Sequence, residues 1–262
     1  MKLTFLSCEP VPDIAELSRR MQRVAELGYS GIELTALYPM HDMVEDIVRL
    51  TEKFQLPVVS LLTGWSYSHE GLCLSSPEPE VRERTVQRLE DYVAMAARLG
   101  SIVVVGLLQG LRTNEPDAGV AASRITECLR RVADSADKRG VTVVVEPVNH
   151  LQVGFHHTAD DAAELVRRVG CPALSYMLDT IHMNIEERSL FETIRTHGQR
   201  IRHFHLCESN GGPLGSGNLD IPGILEALTA VGYDHCISVK IYQQLQWDEA
   251  ARQAVEYLGW RL

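Results

Sequence analysis

Tyr176-Met177-Leu178-Asp179-Thr180-Ile181-His182-Met183-Asn184-Ile185-Glu186-Glu187 reads as an apolar strand ending in a carboxylate, a turn presenting an imidazole and an amide, and an acidic helix start. Two other stretches end in the same manner. Val141-Thr142-Val143-Val144-Val145 runs into Glu146-Pro147-Val148-Asn149, and Ile201-Arg202-His203-Phe204 runs into His205-Leu206-Cys207-Glu208. Three apolar strands delivering Glu, Asp and His in turn point to a site for a hard or borderline divalent metal ion.

Outward from this centre, strand and helix signals alternate at a spacing of about 30 residues, the length of a βα unit. Strands are expected at 3–8, 31–34, 57–62, 102–108 and 141–146, then ending at Asp179 and near His205, and at 235–241. Helices are expected at 13–27, 42–54, 77–99, 117–138, 158–169, 186–197, 221–231 and 247–258, with a long loop at 63–76. Asp13 and the Thr158-Ala159-Asp160-Asp161 start supply N-terminal caps, and Gly28 and Gly140 supply stops. Eight alternations predict an α/β fold, a (β/α)8 TIM barrel forming a single domain over residues 1–262. An open doubly wound sheet would carry a glycine fingerprint after its first strand. That turn is Glu9-Pro10-Val11-Pro12, without glycine.

The formal net charge of −10 argues against a nucleic-acid backbone or an anionic membrane as the main partner. The six cysteines, Cys8, Cys73, Cys128, Cys171, Cys207 and Cys236, form no Cys-x-x-Cys pair and read as reduced thiols of a cytoplasmic enzyme. The apolar run 3–8 is too short for a signal h-region, and no run approaches the roughly 20 residues that span a bilayer. Assembly into a homo-oligomer, a dimer or tetramer, is expected.

In such a barrel the active groups come from the C-terminal ends of the strands. Strand alternation turns Val144 and Glu146 inward, and likewise Met177 with Asp179, His203 with His205, Ser238 with Lys240, and Glu33. Each residue has a bland reading. An Asp after a strand is ordinarily an N-cap, an inward His a hydrogen-bonded core residue, and a strand-end Glu the partner of an Arg. Together these readings weaken, because they would bury two carboxylates side by side without a cation.

The runs Glu146-Pro147-Val148-Asn149, Met177 to Glu187, His203-Phe204-His205 and Gly215-Ser216-Gly217-Asn218-Leu219-Asp220 resemble the xylose isomerase-like TIM barrels. They are most similar to the D-tagatose/D-psicose 3-epimerases, with hydroxypyruvate isomerase a relative. The resemblance implies that Glu146, Asp179 and His205 ligate one divalent ion, Mn2+ or Mg2+ or else Co2+. It also implies that His182 contacts substrate and that Glu146 doubles as the catalytic base. The chemistry would be proton transfer through an enediolate on a small keto-sugar or sugar acid.

Three positions depart from the pattern. The family's fourth ligand, a glutamate, falls at Lys240, a substrate arginine at Gly211 and a substrate glutamate at Gln152. An ammonium cannot ligate a metal. Lys240 is therefore read as catalytic, with a lowered pKa, or as the binder of a substrate anion; the bland alternative is a salt bridge to Glu146 or Glu208. Glu33, His69, Arg112 and Gln152 complete the candidate substrate contacts, with Trp65 and Tyr67 beside His69 as a lid. The main expectation is a sugar isomerase or epimerase. A metal-dependent decarboxylase or lyase, and a degenerate barrel acting as a binding module, remain as alternatives.

Overall fold

The computed structural model describes residues 1–36, 40–243 and 245–259. Among them, nine strand segments and ten α-helices alternate. They are β1 Lys2–Ser7, α1 Ile14–Glu26, β2 Ile32–Thr35, α2 Val44–Phe54, β3 Val58–Leu62, α3 Trp65–Glu70, α4 Pro79–Leu99, β4 Ile102–Val105, α5 Ala118–Asp137 and β5 Val143–Val145. There follow α6 Ala159–Val169, β6 Leu174–Tyr176, β7 Leu178–Asp179, α7 Thr180–Glu186, α8 Leu190–His197, β8 Phe204–Leu206, α9 Ile221–Ala230, β9 Cys236–Val239 and α10 Trp247–Leu258.

All paired strands are parallel, in the order β6-β5-β4-β3-β2-β1-β9-β8-β7. The two ends of that order are one stretch of chain. At Met177 the sixth strand leaves β5, where its N–H donates to Val145 O at 3.0 Å, and turns to β8, which Leu178 N–H reaches at His203 O at 3.4 Å. The result is the expected (β/α)8 barrel of parallel strands, closed through a strand split at its middle.

The helices form for ordinary reasons. Leu17, Met21 and Val24 recur at helical spacing on α1 and are buried against the barrel, and Asp13 caps the helix by accepting from Glu16 N–H. Thr158 and Asp161 make the expected capping box of α6. Valines 103–105 and 143–145 are buried on both faces, as a helix-covered parallel sheet requires. The barrel interior is divided. Val104, Val144 and Met177 pack together on one side, whereas Thr4, Glu33, Ser60, His205 and Ser238 bring buried polar groups from β1, β2, β3, β8 and β9.

Three expected elements differ. The turn expected after Asp179 is a helix, α7, capped by Asp179, whose side chain accepts from Ile181 N–H; the helix expected at 186–197 is α8, which starts later, capped by Ser189, whose hydroxyl accepts from Glu192 N–H. The strand expected at 102–108 ends at Val105, because Gly106 bends the chain into a short 3-10 turn, Leu107–Gln109. The loop at 63–76 holds α3. No helix among the described residues is long and apolar enough to cross a membrane.

Candidate active site

Five side chains converge at the C-terminal mouth of the barrel. Glu146 follows β5, Asp179 ends β7, His205 lies on β8, Lys240 follows β9, and His182 stands on the first turn of α7. Asp179 is the N-cap of α7 as well as a site residue. Its Oδ1 accepts from Ile181 N–H at 3.0 Å, which leaves Oδ2 for the mouth. His205 Nδ1 lies 3.4 Å from Glu146 Oε1 and 3.4 Å from Asp179 Oδ2. His182 Nε2 lies 3.7 Å and 3.8 Å from the same two oxygens. Lys240 Nζ donates to Asp179 Oδ2 at 2.6 Å.

Glu146 Oε1 and His205 Nδ1 are buried and have no hydrogen-bond partner among the described residues. Leaving such atoms unmatched costs about 1–3 kcal/mol each, and more when charged. A divalent ion with bonds of about 2.1 Å sets adjacent donors about 3.0–3.4 Å apart, so these atoms and Asp179 Oδ2 fit its coordination shell. Charge agrees. Two buried carboxylates, Glu146 and Asp179, face one ammonium, leaving one negative charge when the imidazoles are neutral.

The local field follows from this crowding. Burial works against charge on Glu146 and Asp179, but the Lys240 ammonium and the neighbouring imidazoles outweigh it and hold both carboxyls below their usual range. Burial also opposes charge on His205, yet Glu33, Asp179 and Glu146 overcome it and push that imidazole up. A metal ion would compete with that proton. His182 is pushed down, chiefly by burial.

Above the cluster opens a cavity of about 270 Å³. Glu146, His182, Gln152 and Lys240 reach it, and Leu6, Leu62, Trp65, Leu107, Val148 and Tyr242 supply apolar wall.

Three expected substrate contacts lie elsewhere. Glu33 does not reach the cavity; its carboxylate sits inside the barrel, accepting from His205 Nε2 at 3.0 Å and His203 Nε2 at 3.0 Å. Its inward orientation was legible, but not its depth. His69 is exposed and stacks on Trp65, with ring centroids 4.3 Å apart, so only Trp65 of the expected lid lines the cavity. Tyr67 bonds Asn114 Oδ1 at 2.8 Å instead. Arg112 lies over the Phe155 ring at 4.9 Å. The lowered pKa expected of Lys240 is also corrected. Burial would lower it, but Asp179 and Glu146 hold it well above its usual value. Its ion pair is with Asp179 rather than Glu146 or Glu208. Glu208 instead accepts from Ser209, Gly215 and Leu219 N–H, as the hub of the glycine-rich loop.

Two contributors were not singled out from the sequence. A Cβ at Gly106 would meet Glu146 Oε2 at 2.6 Å, so glycine leaves room for that carboxylate. Tyr242 lies over Lys240, 5.8 Å from Nζ to the ring centroid, and fills the space beside Gly211, where a Cβ would meet its Cζ at 2.6 Å.

Residues 21–259 match the family model described as xylose isomerase-like TIM barrel. The chain belongs to the xylose isomerase-like TIM barrel family. Within it, the chain is 32% identical to L-ribulose 3-epimerase of Mesorhizobium japonicum, an alignment covering 90% of this chain and 78% of that one. Hydroxypyruvate isomerase of Escherichia coli is 25% identical, over 89% and 90% of the two chains. D-allulose 3-epimerase from Methylomonas sp., in complex with D-allulose, shares the fold with a TM-score of 0.87 at 21% identity, covering 100% and 97%. These family members are sugar epimerases and isomerases, and the carboxy-lyase alternative finds no support among them.

Proposed function

We propose that this family member is a divalent-metal-dependent sugar isomerase or epimerase that moves a proton at the carbon beside the carbonyl of a small ketose. The observation that carries this reading is the pair of unpartnered buried atoms, Glu146 Oε1 and His205 Nδ1, 3.4 Å apart beneath the cavity. Kinship with L-ribulose 3-epimerase supplies the substrate class. Glu146, Asp179 and His205 would hold the ion, Mn2+ or Mg2+ or else Co2+. Bound there, it would polarise a substrate carbonyl and stabilise negative charge on its oxygen.

The chain's own groups then divide the work. Glu146, against the space left by Gly106, takes the proton from carbon. His182 faces the same region and hydrogen-bonds a substrate oxygen. Lys240 approaches from β9, the position at which the epimerases carry a second carboxylate by resemblance. It either returns a proton from that side or binds an anionic substituent, which would extend the substrates to sugar acids. Leu6, Leu62 and Trp65 keep water from the reacting carbon.

The test is deuterium uptake. Protein purified without chelator should contain about one equivalent of a divalent ion by elemental analysis. With Mn2+ in deuterated water it should exchange the C3 proton of L-ribulose or D-psicose, and Glu146→Gln should abolish exchange. Absence of any bound ion, with no exchange on either ketose or on hydroxypyruvate, would overturn the reading.

A further inference from the structure

His182 and His205 each aim a ring nitrogen at the same two oxygens, Glu146 Oε1 and Asp179 Oδ2. A neutral imidazole offers a lone pair on one nitrogen and an N–H on the other, and the partner of the far nitrogen decides which is which. The two far partners differ. For His205 the partner is the Glu33 carboxylate, 3.0 Å from Nε2. An ionised carboxylate only accepts, so Nε2 keeps its proton, and Nδ1 is the nitrogen that turns a lone pair to the site once an ion displaces the second proton.

For His182 the far partner is the side-chain amide of Asn149, 2.8 Å from Nδ1. An amide can offer either end, but a second contact decides it. Asn149 Oδ1 accepts from Leu151 N–H at 3.1 Å. Turning the amide over would set its NH2 against that N–H, two donors facing each other. Nδ2 therefore donates to His182 Nδ1, and the His182 proton sits on Nε2. Asn149 is 1% exposed, so water does not compete for its amide.

We infer that Asn149 is a positioning residue that keeps His182 a hydrogen-bond donor to the reacting oxygen and bars it from the metal, while Glu33 makes His205 the ligand. The inference rests on the metal-assisted reading above. It resolves which of two nearly equidistant imidazoles binds the ion. It also gives the Asn of the Glu-x-x-Asn run a task that the run itself does not reveal. A fixed N–H beside a developing alkoxide stabilises the charge that proton abstraction creates.

The test reads the tautomer directly, in metal-free protein labelled with nitrogen-15 histidine, by two-bond proton–nitrogen correlation. His182 is assigned as the signal lost in His182→Gln. The expected wild-type result is a protonated Nε2 and an unprotonated Nδ1. Asn149→Asp puts an acceptor where the amide donated, so the proton should move to Nδ1. The freed Nε2 should then join the coordination shell, changing the absorption spectrum of the Co2+-loaded variant. Turnover of L-ribulose or D-psicose should fall about 100-fold or more, with KM changing far less. Asn149→Ala should give a mixture of tautomers and a smaller loss. A wild-type His182 protonated on Nδ1, or a tautomer unmoved in Asn149→Asp, would overturn the inference. The wild-type spectrum decides the matter even where a variant fails to fold. Because it is recorded without metal or substrate, a wrong assignment of the reaction would leave it unchanged.

Discussion

Asp179 shows how one residue can satisfy two readings that compete in the sequence. Its Oδ1 caps α7 and its Oδ2 meets Lys240, His205 and His182, so helix start and site are welded together. Lys240 is the residue at which the sequence resemblance leads one to expect this chain to part from the family pattern. Its ammonium is tied to Asp179 at 2.6 Å, and its side chain is 15% exposed, at the edge of the cavity. Breaking a buried pair from one side typically costs about 3–5 kcal/mol, because the partner charge is stranded. Lys240→Ala should therefore lower the melting temperature of the metal-free protein, and Mn2+ should restore much of the loss by neutralising Asp179. Turnover should fall about 100-fold or more if the ammonium handles a proton. Lys240→Glu should tighten Mn2+ binding, measured by titration calorimetry, by replacing a repelling charge with a ligand. Unchanged kinetics in Lys240→Ala would remove the side chain from the reaction.

The elements that surround these residues were legible to different degrees, for physical reasons. Helices with caps and a clear apolar stripe, such as α1 and α6, follow from local signals that packing does not need to override. The inward faces of the strands followed from the period of 2, which is why Glu146, Asp179, His205 and Lys240 could be placed at one mouth. Depth along a strand and the path of a loop are set by non-local contacts. The sequence thus points Glu33 to the substrate, though two imidazoles hold it inside the barrel, and His69 to a lid, though it is exposed and stacks on Trp65. Gly106 marks the same boundary. Within an apolar run it reads as a strand residue, yet its meaning is the carboxylate 2.6 Å from where a Cβ would stand. Gly106→Ala should leave the fold intact, since overpacking costs about 1–3 kcal/mol. The displaced Glu146 should lower kcat/KM about 100-fold, because small misplacements of a reacting group are that expensive. Wild-type kinetics would show that Glu146 tolerates being moved and is not the base.

At the scale of the whole molecule, the barrel closes through Met177 while the loops above β4 and β5 brace each other over the mouth. Gly154 N–H donates to Gly110 O at 2.9 Å, and the Gln109 side chain links the Glu146 backbone carbonyl, at 3.1 Å, to His156 Nδ1, at 2.9 Å. His156 also holds a left-handed backbone, φ 54°. Burial lowers its pKa from 6.5 to about 4, so the folded state keeps this imidazole neutral where the unfolded chain would charge it. The sign follows. Above pH 6.5 both states are neutral and the brace contributes in full; as pH falls through that value the unfolded state takes up the proton first, and stability drains away until the folded imidazole also titrates near pH 4. The limit of the effect is about 3 kcal/mol. Urea unfolding of the wild type between pH 7.5 and pH 4.5 should show the decline. In His156→Asn, which tolerates the left-handed backbone, the pH slope over that window should flatten. An unaltered slope in the variant would place the acid sensitivity elsewhere in the barrel.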